Sequence, residues 1–298
     1  MTPIYGVSYR LTTRSSGKNK FLEKIADISK HFFMEKEVAL KIVVCVKQVP
    51  DSAAKVVAEN GKVTWGDAPL VINPWDEFAV ETALLQQEAH GGEVIALTIG
   101  GESAKEALKH ALAMGCGQAI LISDPALAGS DSQAVAKVLA AALRKIGDVD
   151  LAFFGKQAID GDMGVTAAQT ARVMGWPVLS LVSEVKALDP GGRSLRVSRS
   201  TEEGRQVVEA KFPVALSVGK DIAEPRYPSF MGIRKASRAM IPTWSLADLG
   251  IPAPASVVQW PELINPPARE VVTEIISGDN PQDIAGKLAD KILAEKVL

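Results

Sequence analysis

From residue 40 onward the chain repeats one pattern of hydrophobicity. A short apolar run rich in β-branched residues is followed by a polar turn, and then by a segment whose apolar residues recur every three or four positions. The runs fall at residues 40–49 (Leu-Lys-Ile-Val-Val-Cys-Val-Lys-Gln-Val), 93–99, 119–123 and 149–154, and they predict buried strands. Phe78, Val80, Leu84 and Leu85 mark a helix after the first run. Ala107, Leu108, Ala111 and Leu112 mark a second within 103–114, and residues 130–146 and 167–175 give two more. Asn73 is placed to cap the first helix with Pro74 at its first position, and His90-Gly91-Gly92 ends it. Ser130-Asp131-Ser132-Gln133 has capping-box spacing at the head of the third. Four strand-helix units with short joins predict an α/β fold, a doubly wound parallel sheet with right-handed crossovers. Residues 55–65 interrupt it by alternating around Asn60-Gly61, which predicts a β-hairpin outside the parallel sheet.

Beyond Trp176-Pro177 the period changes. Residues 178–185, 194–200 and 206–210 alternate or run apolar, with Asp189-Pro190-Gly191-Gly192 and Glu203-Gly204 as turns, and they predict an added antiparallel region. Residues 213–218 form a further strand. From Pro225 the chain is rich in proline and in basic residues (Arg226, Arg234, Lys235, Arg238), which forbids long helices or central strands until residues 283–297. Phe230, Met231, Ile233, Trp244, Leu263 and Ile264 are too apolar for a solvated linker, so this arm is expected to dock on another polypeptide. The expected organisation is a leader over 1–38, an α/β domain over 39–224, and a loop and extended C-terminal arm over 225–298.

Composition narrows the function classes. With 298 residues, 47% hydrophobic and 23% charged, the chain reads as soluble and globular, with material for one large core or two modest ones. Its 33 Lys and Arg against 35 Asp and Glu leave a net charge of -2, so no global field attracts nucleic acid or an acidic membrane. No apolar run reaches the length of a membrane span. Cys45 and Cys116 stand among apolar or small residues in no ligand or CxxC spacing, and His31, His90 and His110 are isolated; reduced core cysteines and no histidine metal site follow. Residues 1–36 place Arg10, Arg14, Lys18 and Lys20 among Ser and Thr without a secretory h-region. Glu23, Asp27 and Glu35 speak against a transit peptide, and Met34 before Glu-Lys-Glu is a candidate start of translation, so an appended leader is favoured. A cytoplasmic location is expected, or a mitochondrial matrix one if the leader is a transit peptide.

The stretch that concentrates candidate chemistry is Gly155-Lys156-Gln157-Ala158-Ile159-Asp160-Gly161-Asp162-Met163-Gly164-Val165-Thr166, between the fourth strand and the fourth helix. A turn at the carboxyl end of a buried parallel strand faces a helix whose first N–H groups are unpaired and whose dipole favours an anion, most often phosphate. The other reading makes Gly155, Gly161 and Gly164 ordinary turn glycines and Asp160 and Asp162 helix-start residues. The stretch is neither GxGxxG nor Walker A, so spacing leaves both readings open.

With these segments in place a family emerges. Residues 41–50, 73–83, 93–100, 155–166 and Glu224-Pro225-Arg226-Tyr227 resemble, in order and separation, the beta subunit of an electron transfer flavoprotein, and Gly-Lys-Gln-Ala-Ile-Asp before an acidic turn is specific to that family. The resemblance spans residues 40–298. It implies a flavodoxin-like adenine-nucleotide-binding domain and a heterodimer with an alpha subunit that holds most of one FAD. It further implies electrons accepted from acyl-CoA or related dehydrogenases, as in fatty acid oxidation, and passed to a membrane quinone oxidoreductase. The beta subunit would carry AMP, or a second FAD in electron-bifurcating members that oxidise NADH, and it would have no catalytic residue of its own. By resemblance, Cys45 stands where members place a small residue against the adenine. Asn73, Pro74, Trp75 and Asp76 match the nucleotide-contacting helix start, Ile99 a backbone contact, and Gly155 to Thr166 the phosphate loop. Read without the family, Cys45 and Ile99 are core residues.

The run 227–238 resembles the family's recognition loop, in which an apolar anchor, here Phe230, enters a pocket on the dehydrogenase while basic residues, here Lys235 and Arg238, flank it. Composition alone would pack Phe230 back on its own domain. The chain departs from the family pattern at Gly164 and Val165, where many members carry Asn or Gln, and at Ser52, where some place an aromatic near the alpha-subunit flavin. Bifurcating members show Asp-Gly-Asp-Thr with a following Gln-Val-Gly-Pro; here Asp160-Gly161-Asp162 leads to Met163, and Asn73-Pro74-Trp75-Asp76-Glu77 is similar to the AMP type. AMP is therefore preferred and FAD kept as the alternative. Two readings from other classes remain. One is a nucleotide-hydrolysing enzyme with Asp160 or Asp162 on a metal and Lys156 on a phosphate, which lacks a nucleophile beside a base. The other is a stand-alone nucleotide-binding module, which the apolar arm disfavours.

Overall fold

The computed structural model describes residues 39–258, 260, 262–267 and 273–296. The leader expected over 1–38, with Met34 and His31, lies outside the described residues, and the last helix, expected over 283–297, ends at Ala294. Contacts divide the chain into two units: one built from residues up to Lys55 and from Trp65–Trp260, the other from Val56–Thr64 and Pro261–Leu298.

In the first unit, β1 (Leu40–Cys45) is buried on both faces, as a Val/Ile/Leu run in a parallel sheet must be. β2 (Gln48–Pro50) and β5 (Leu70–Ile72) pair antiparallel as a small separate ribbon. Then come α1 (Pro74–His90), β6 (Gly92–Ile99), α2 (Lys105–Met114), β7 (Gln118–Ile122), α3 (Ser132–Ile146), β8 (Leu151–Gly155) and α4 (Thr166–Met174). β9 (Val178–Asp189), β10 (Ser194–Thr201), β11 (Gly204–Lys211) and β12 (Val214–Val218) follow, then α5 (Phe230–Ala236) and β13 (Thr243–Trp244). The nine-stranded sheet runs β11-β10-β9-β12-β8-β1-β6-β7-β13. It is parallel from β9 through β13, and antiparallel where β10 and β11 extend it.

Alternate residues of β1 feed two cores. Ile42 and Val44 pack with Ala79, Val80, Leu84, Leu108 and Ala111 of α1 and α2, while Val43 and Cys45 pack with Val138, Leu143, Ala167 and Ala171 of α3 and α4. Each fully buried aliphatic side chain contributes about 1.5–3 kcal/mol, so helices on both faces are what make this sheet stable. Order reverses around β1: the chain steps outward through β6 and β7, then returns to place β8 on the other side. The crevice between β1 and β8 is the topological switch point, where open α/β sheets bind ligands.

Three local expectations are corrected. The first strand does not run unbroken to Val49; Val46 N–H still donates to Leu97 O at 2.9 Å, but Lys47 N–H donates to the Asp76 carboxylate at 2.7 Å and Lys47 O accepts Asn73 N–H at 2.8 Å. The start of α1 thus takes the backbone groups the sheet would have used. At α3 the cap is Asp131, whose carboxylate accepts Ala134 N–H at 2.8 Å, one residue on from the Ser130 that the capping-box spacing names. Finally, the proline-rich stretch after 225 folds back on the first unit: Ala236 and Leu246 are buried, Trp244, Leu249 and Ile251 pack on the second core, and β13 adds a strand beside β7. Proline spacing forbids long elements but not a seven-residue helix or a two-residue strand.

In the second unit, β3 (Val57–Glu59) and β4 (Lys62–Thr64) form the expected hairpin, with Asn60 (φ 51°) and Gly61 (φ 71°) in its turn. Asn265 extends it by exchanging two hydrogen bonds with the backbone of Ala58, at 2.7 and 2.9 Å. α6 (Pro281–Ala294) is capped by Asn280, accepting Asp283 N–H at 2.9 Å, and leaves Leu288 and Ile292 exposed.

Candidate functional site

Parallel strands deliver their carboxyl ends to one edge, and there the loops after β1, β6, β7 and β8 surround a cavity of about 690 Å³. Its floor is set by Asp76. That carboxylate, buried at the start of α1, accepts the N–H groups of Lys47 and Gly155, and so ties the ends of β1 and β8 together across the switch point. Burial pushes Asp76 up to about 7, against the pull of its hydrogen bonds from Asn73, Lys47 and Gly155 and of the Lys47 charge. Only glycine fits at 155: a Cβ there would overlap the Asp76 carboxylate and come within 2.6 Å of the Trp75 carbonyl carbon.

The loop after β8 is fixed by Asn73. Its side chain does not cap α1 as the sequence suggests; it is 1% exposed, donates to Gln157 O at 2.8 Å and accepts Ile159 N–H at 3.2 Å. Capping a helix satisfies one backbone group, whereas bridging the loop satisfies two, on the half-buried Gln157 and Ile159. Further along, Asp162 (φ 47°) and Gly161 turn back on Ala158 O, and Gln157 Nε2 donates to Asp162 Oδ1 at 2.8 Å. Lys47 Nζ holds both Asp160 oxygens at 2.6 and 2.8 Å, and Lys156 Nζ lies 5.3 Å from the centre of the Trp75 ring. The loop then enters α4, whose N-terminus has no side-chain cap. Its free N–H groups and dipole face the cavity beside Gly164 and Thr166, an arrangement suited to an anion.

The opposite wall comes from α3 and the loop before it, with Leu127, Val135 and Leu139, and from Val258 and Trp260. Asp131 binds that segment: besides Ala134 N–H, its carboxylate accepts Val257 and Val258 N–H at 2.6 and 2.9 Å, and Asp131 N–H donates to Ser256 Oγ at 3.0 Å. These backbone donors, Ala134 foremost, hold Asp131 below the usual carboxylate range. At the other end of the same loop Asp124 accepts Leu246 N–H at 3.2 Å.

Of the residues named from sequence, Cys45, Asp76, Ile99, Gly155 to Ala158, Asp160 to Gly164 and Thr166 line the cavity. Asn73, Pro74, Trp75, Ile159 and Val165 do not line it; Asn73 supports the loop from behind and Ile159 receives that support. Burial foremost, with the Asp76 charge next, raises the Cys45 thiol far above its ordinary value, so it is an uncharged wall and no nucleophile. Sequence reading missed Lys47, Asp124, Asp131, residues 256–258 and Trp260. Lys47 carried a signal, a cation at the carboxyl end of the first strand; the last segment carried none, because its partner stands more than a hundred residues upstream. Phe230 is 80% exposed at the start of α5, against the composition-based expectation that it packs inward. Lys235 and Arg238 border a shallow depression with Met231 and Arg234. The segment leading to α5 is anchored by Arg226, which holds buried Glu81 through Nε and Nη2 at 2.7 and 2.9 Å and Glu88 at 2.5 Å.

Among the described residues, no group of three or more His, Cys, Asp and Glu is placed to hold a metal, and no helix is long and apolar enough to cross a membrane. Asp160 and Asp162, the metal ligands of the hydrolase reading, are engaged by Lys47 and Gln157.

Comparison with known proteins gives a consistent result. Residues 63–249 match the family model described as electron transfer flavoprotein domain. The chain is 35% identical over 266 residues to the caffeyl-CoA reductase-Etf complex subunit CarD of Acetobacterium woodii, covering 87% of this chain and 100% of that one. It is 34% identical to the electron transfer flavoprotein subunit beta of Megasphaera elsdenii, with 87% and 100% covered, and 39% identical to protein FixA of Azorhizobium caulinodans, with 71% and 77% covered.

Proposed function

Because the chain belongs to the electron transfer flavoprotein family and is of its beta-subunit type, we propose that it works as one half of a heterodimer, with AMP held in the cavity at the switch point. The observation that carries this reading is the cavity itself: glycine at 155, a loop stapled by Asn73, and an uncapped α4 N-terminus together form a cradle for a phosphate-bearing nucleotide. Gly164 N–H, the first N–H groups of α4 and the Thr166 hydroxyl would hold the phosphate, and Cys45 and Ile99 would border the base. In this reading the nucleotide ties together the four loops that surround the cavity.

The redox chemistry belongs to FAD, which would be held mainly by an alpha subunit and would take electrons singly or in pairs from acyl-CoA or related dehydrogenases, for delivery to a quinone oxidoreductase. This chain's part is to shape the shared site and dock the partners. Phe230, exposed beside Lys235 and Arg238, has the form of a transient anchor: one apolar residue for affinity and cations for encounter. α6, with its unburied Leu288 and Ile292, would dock on the alpha subunit.

A second reading has its own support. A cavity of about 690 Å³ is roomy for a mononucleotide, within the range of drug-sized ligand sites, and a relative is named as part of a reductase complex. Both favour a second FAD in this subunit, with NADH oxidation, as in bifurcating members. Heat release from the purified heterodimer, followed by mass and absorbance, decides: one AMP per FAD supports the first reading, two FAD without AMP the second. Failure of co-production with an alpha subunit to yield a yellow complex would leave a stand-alone nucleotide-binding module.

A further inference from the structure

Trp260 is 72% exposed, yet it borders the cavity. Upstream of it, Ser256, Val257 and Val258 are all bound to Asp131, the residue that also caps α3. Four hydrogen bonds on one residue therefore join the head of a cavity-lining helix to residues 256–258. On this wall Leu127, Val135, Leu139 and Val258 supply apolar surface, while the charged and backbone groups suited to phosphate lie across the cavity on the loop after β8. A large unburied indole next to an apolar wall leaves water-exposed area that a flat ring would cover.

We propose that Trp260, which borders the cavity on the same side as Val258 of the Asp131 clasp, is a ligand-binding residue of this site that packs its indole against the planar heteroaromatic ring of the bound nucleotide. The inference rests on the reading of the cavity as a nucleotide site. It adds to that reading a ring-recognition wall contributed by the downstream chain, which none of the strand-end motifs contains.

The test uses the full chain, freed of copurified nucleotide, and titrates wild type, Trp260→Ala and Trp260→Phe with AMP, with FAD, and with ribose 5-phosphate, which keeps the phosphate and lacks the ring. Aromatic stacking of a base changes affinity by roughly fivefold or more, so Trp260→Ala is expected to weaken AMP or FAD by at least that factor. Trp260→Phe should stay within about twofold of wild type, with ribose 5-phosphate unchanged in both variants. An exposed side chain at this position makes all three proteins fold alike, and equal thermal midpoints check it. Unchanged AMP and FAD affinity in Trp260→Ala overturns the inference and leaves the nucleotide reading standing. Equal weakening of AMP and ribose 5-phosphate also overturns it, since the residue would then act through the shape of the clasp. Wild-type protein that binds neither AMP nor FAD removes both.

Discussion

The side chain of Asn73 donates to Gln157 O at 2.8 Å across 84 residues of sequence, and its other atom accepts Ile159 N–H. One buried amide thereby holds the loop between β8 and α4 from the first turn of α1, and the cavity depends on it. Asn73→Ala would remove both hydrogen bonds to the half-buried Gln157 and Ile159 backbone, at about 0.5–1.5 kcal/mol each. The expected outcome is a lower urea midpoint together with weakened AMP binding, read by calorimetry. Loss of stability with intact nucleotide affinity would mean that the loop keeps its shape without the bridge.

Gly155 is the point of closest approach between β8 and α1. A methyl group there meets the Asp76 carboxylate and the carbonyl of Trp75, and backbone cannot swing aside as a flexible side chain can. Gly155→Ala is expected to cost about 1–3 kcal/mol in overpacking and to separate the strand from the helix start. Denaturation and nucleotide content of the purified complex measure it, and a variant that retains both would refute the tight approach.

Asp76 gives a pH dependence whose sign follows from its burial. Held at about 7 rather than 3.8, it keeps a proton in the folded chain that the unfolded chain has released. Stability from this group is therefore complete below about pH 4 and is lost as pH rises through 7, by as much as about 4 kcal/mol. Asp76→Asn cannot titrate, so wild type should lose stability relative to the variant between pH 4.5 and 7.5. Parallel urea midpoints for the two proteins over that range would count against a neutral Asp76.

Arg226 is the counter-charge of Glu81, which is only 4% exposed. Arg226→Met leaves that carboxylate buried and unpaired, with an expected loss of about 3–5 kcal/mol. Glu81→Gln added to Arg226→Met should recover part of it, because an amide is cheaper to bury than a lone charge. Additive losses in the double variant would show that the pair is not coupled.

Phe230 should separate docking from stability. Its side chain touches little, so Phe230→Ala is expected to move the unfolding free energy by no more than about 0.5 kcal/mol. Electron transfer from the partner dehydrogenase should meanwhile show a raised KM, visible in a coupled dye-reduction assay. An unchanged KM would place the docking surface elsewhere.

The alternation of strands and helices was legible before any coordinates, because whether a segment is strand or helix is written in its own apolar period and in the turn residues at its ends. The same holds for the hairpin at Asn60-Gly61 and for the position of the turn that follows β8. Which groups those elements offer each other was not legible. Asn73 looks like a helix cap from its neighbours, and becomes a loop staple only because β8 lies beside β1 in the sheet. Asp131 caps the helix where the spacing named Ser130, and its second task, holding residues 256–258, depends on where a proline-rich segment returns to the fold. Arg226 and Glu81 meet across 145 residues, and the exposure of Phe230 reverses what composition alone suggests. Backbone preference is local and acts over a few residues, so sequence fixes it; a side-chain hydrogen bond takes whatever partner the sheet order brings near, so only the assembled fold decides it.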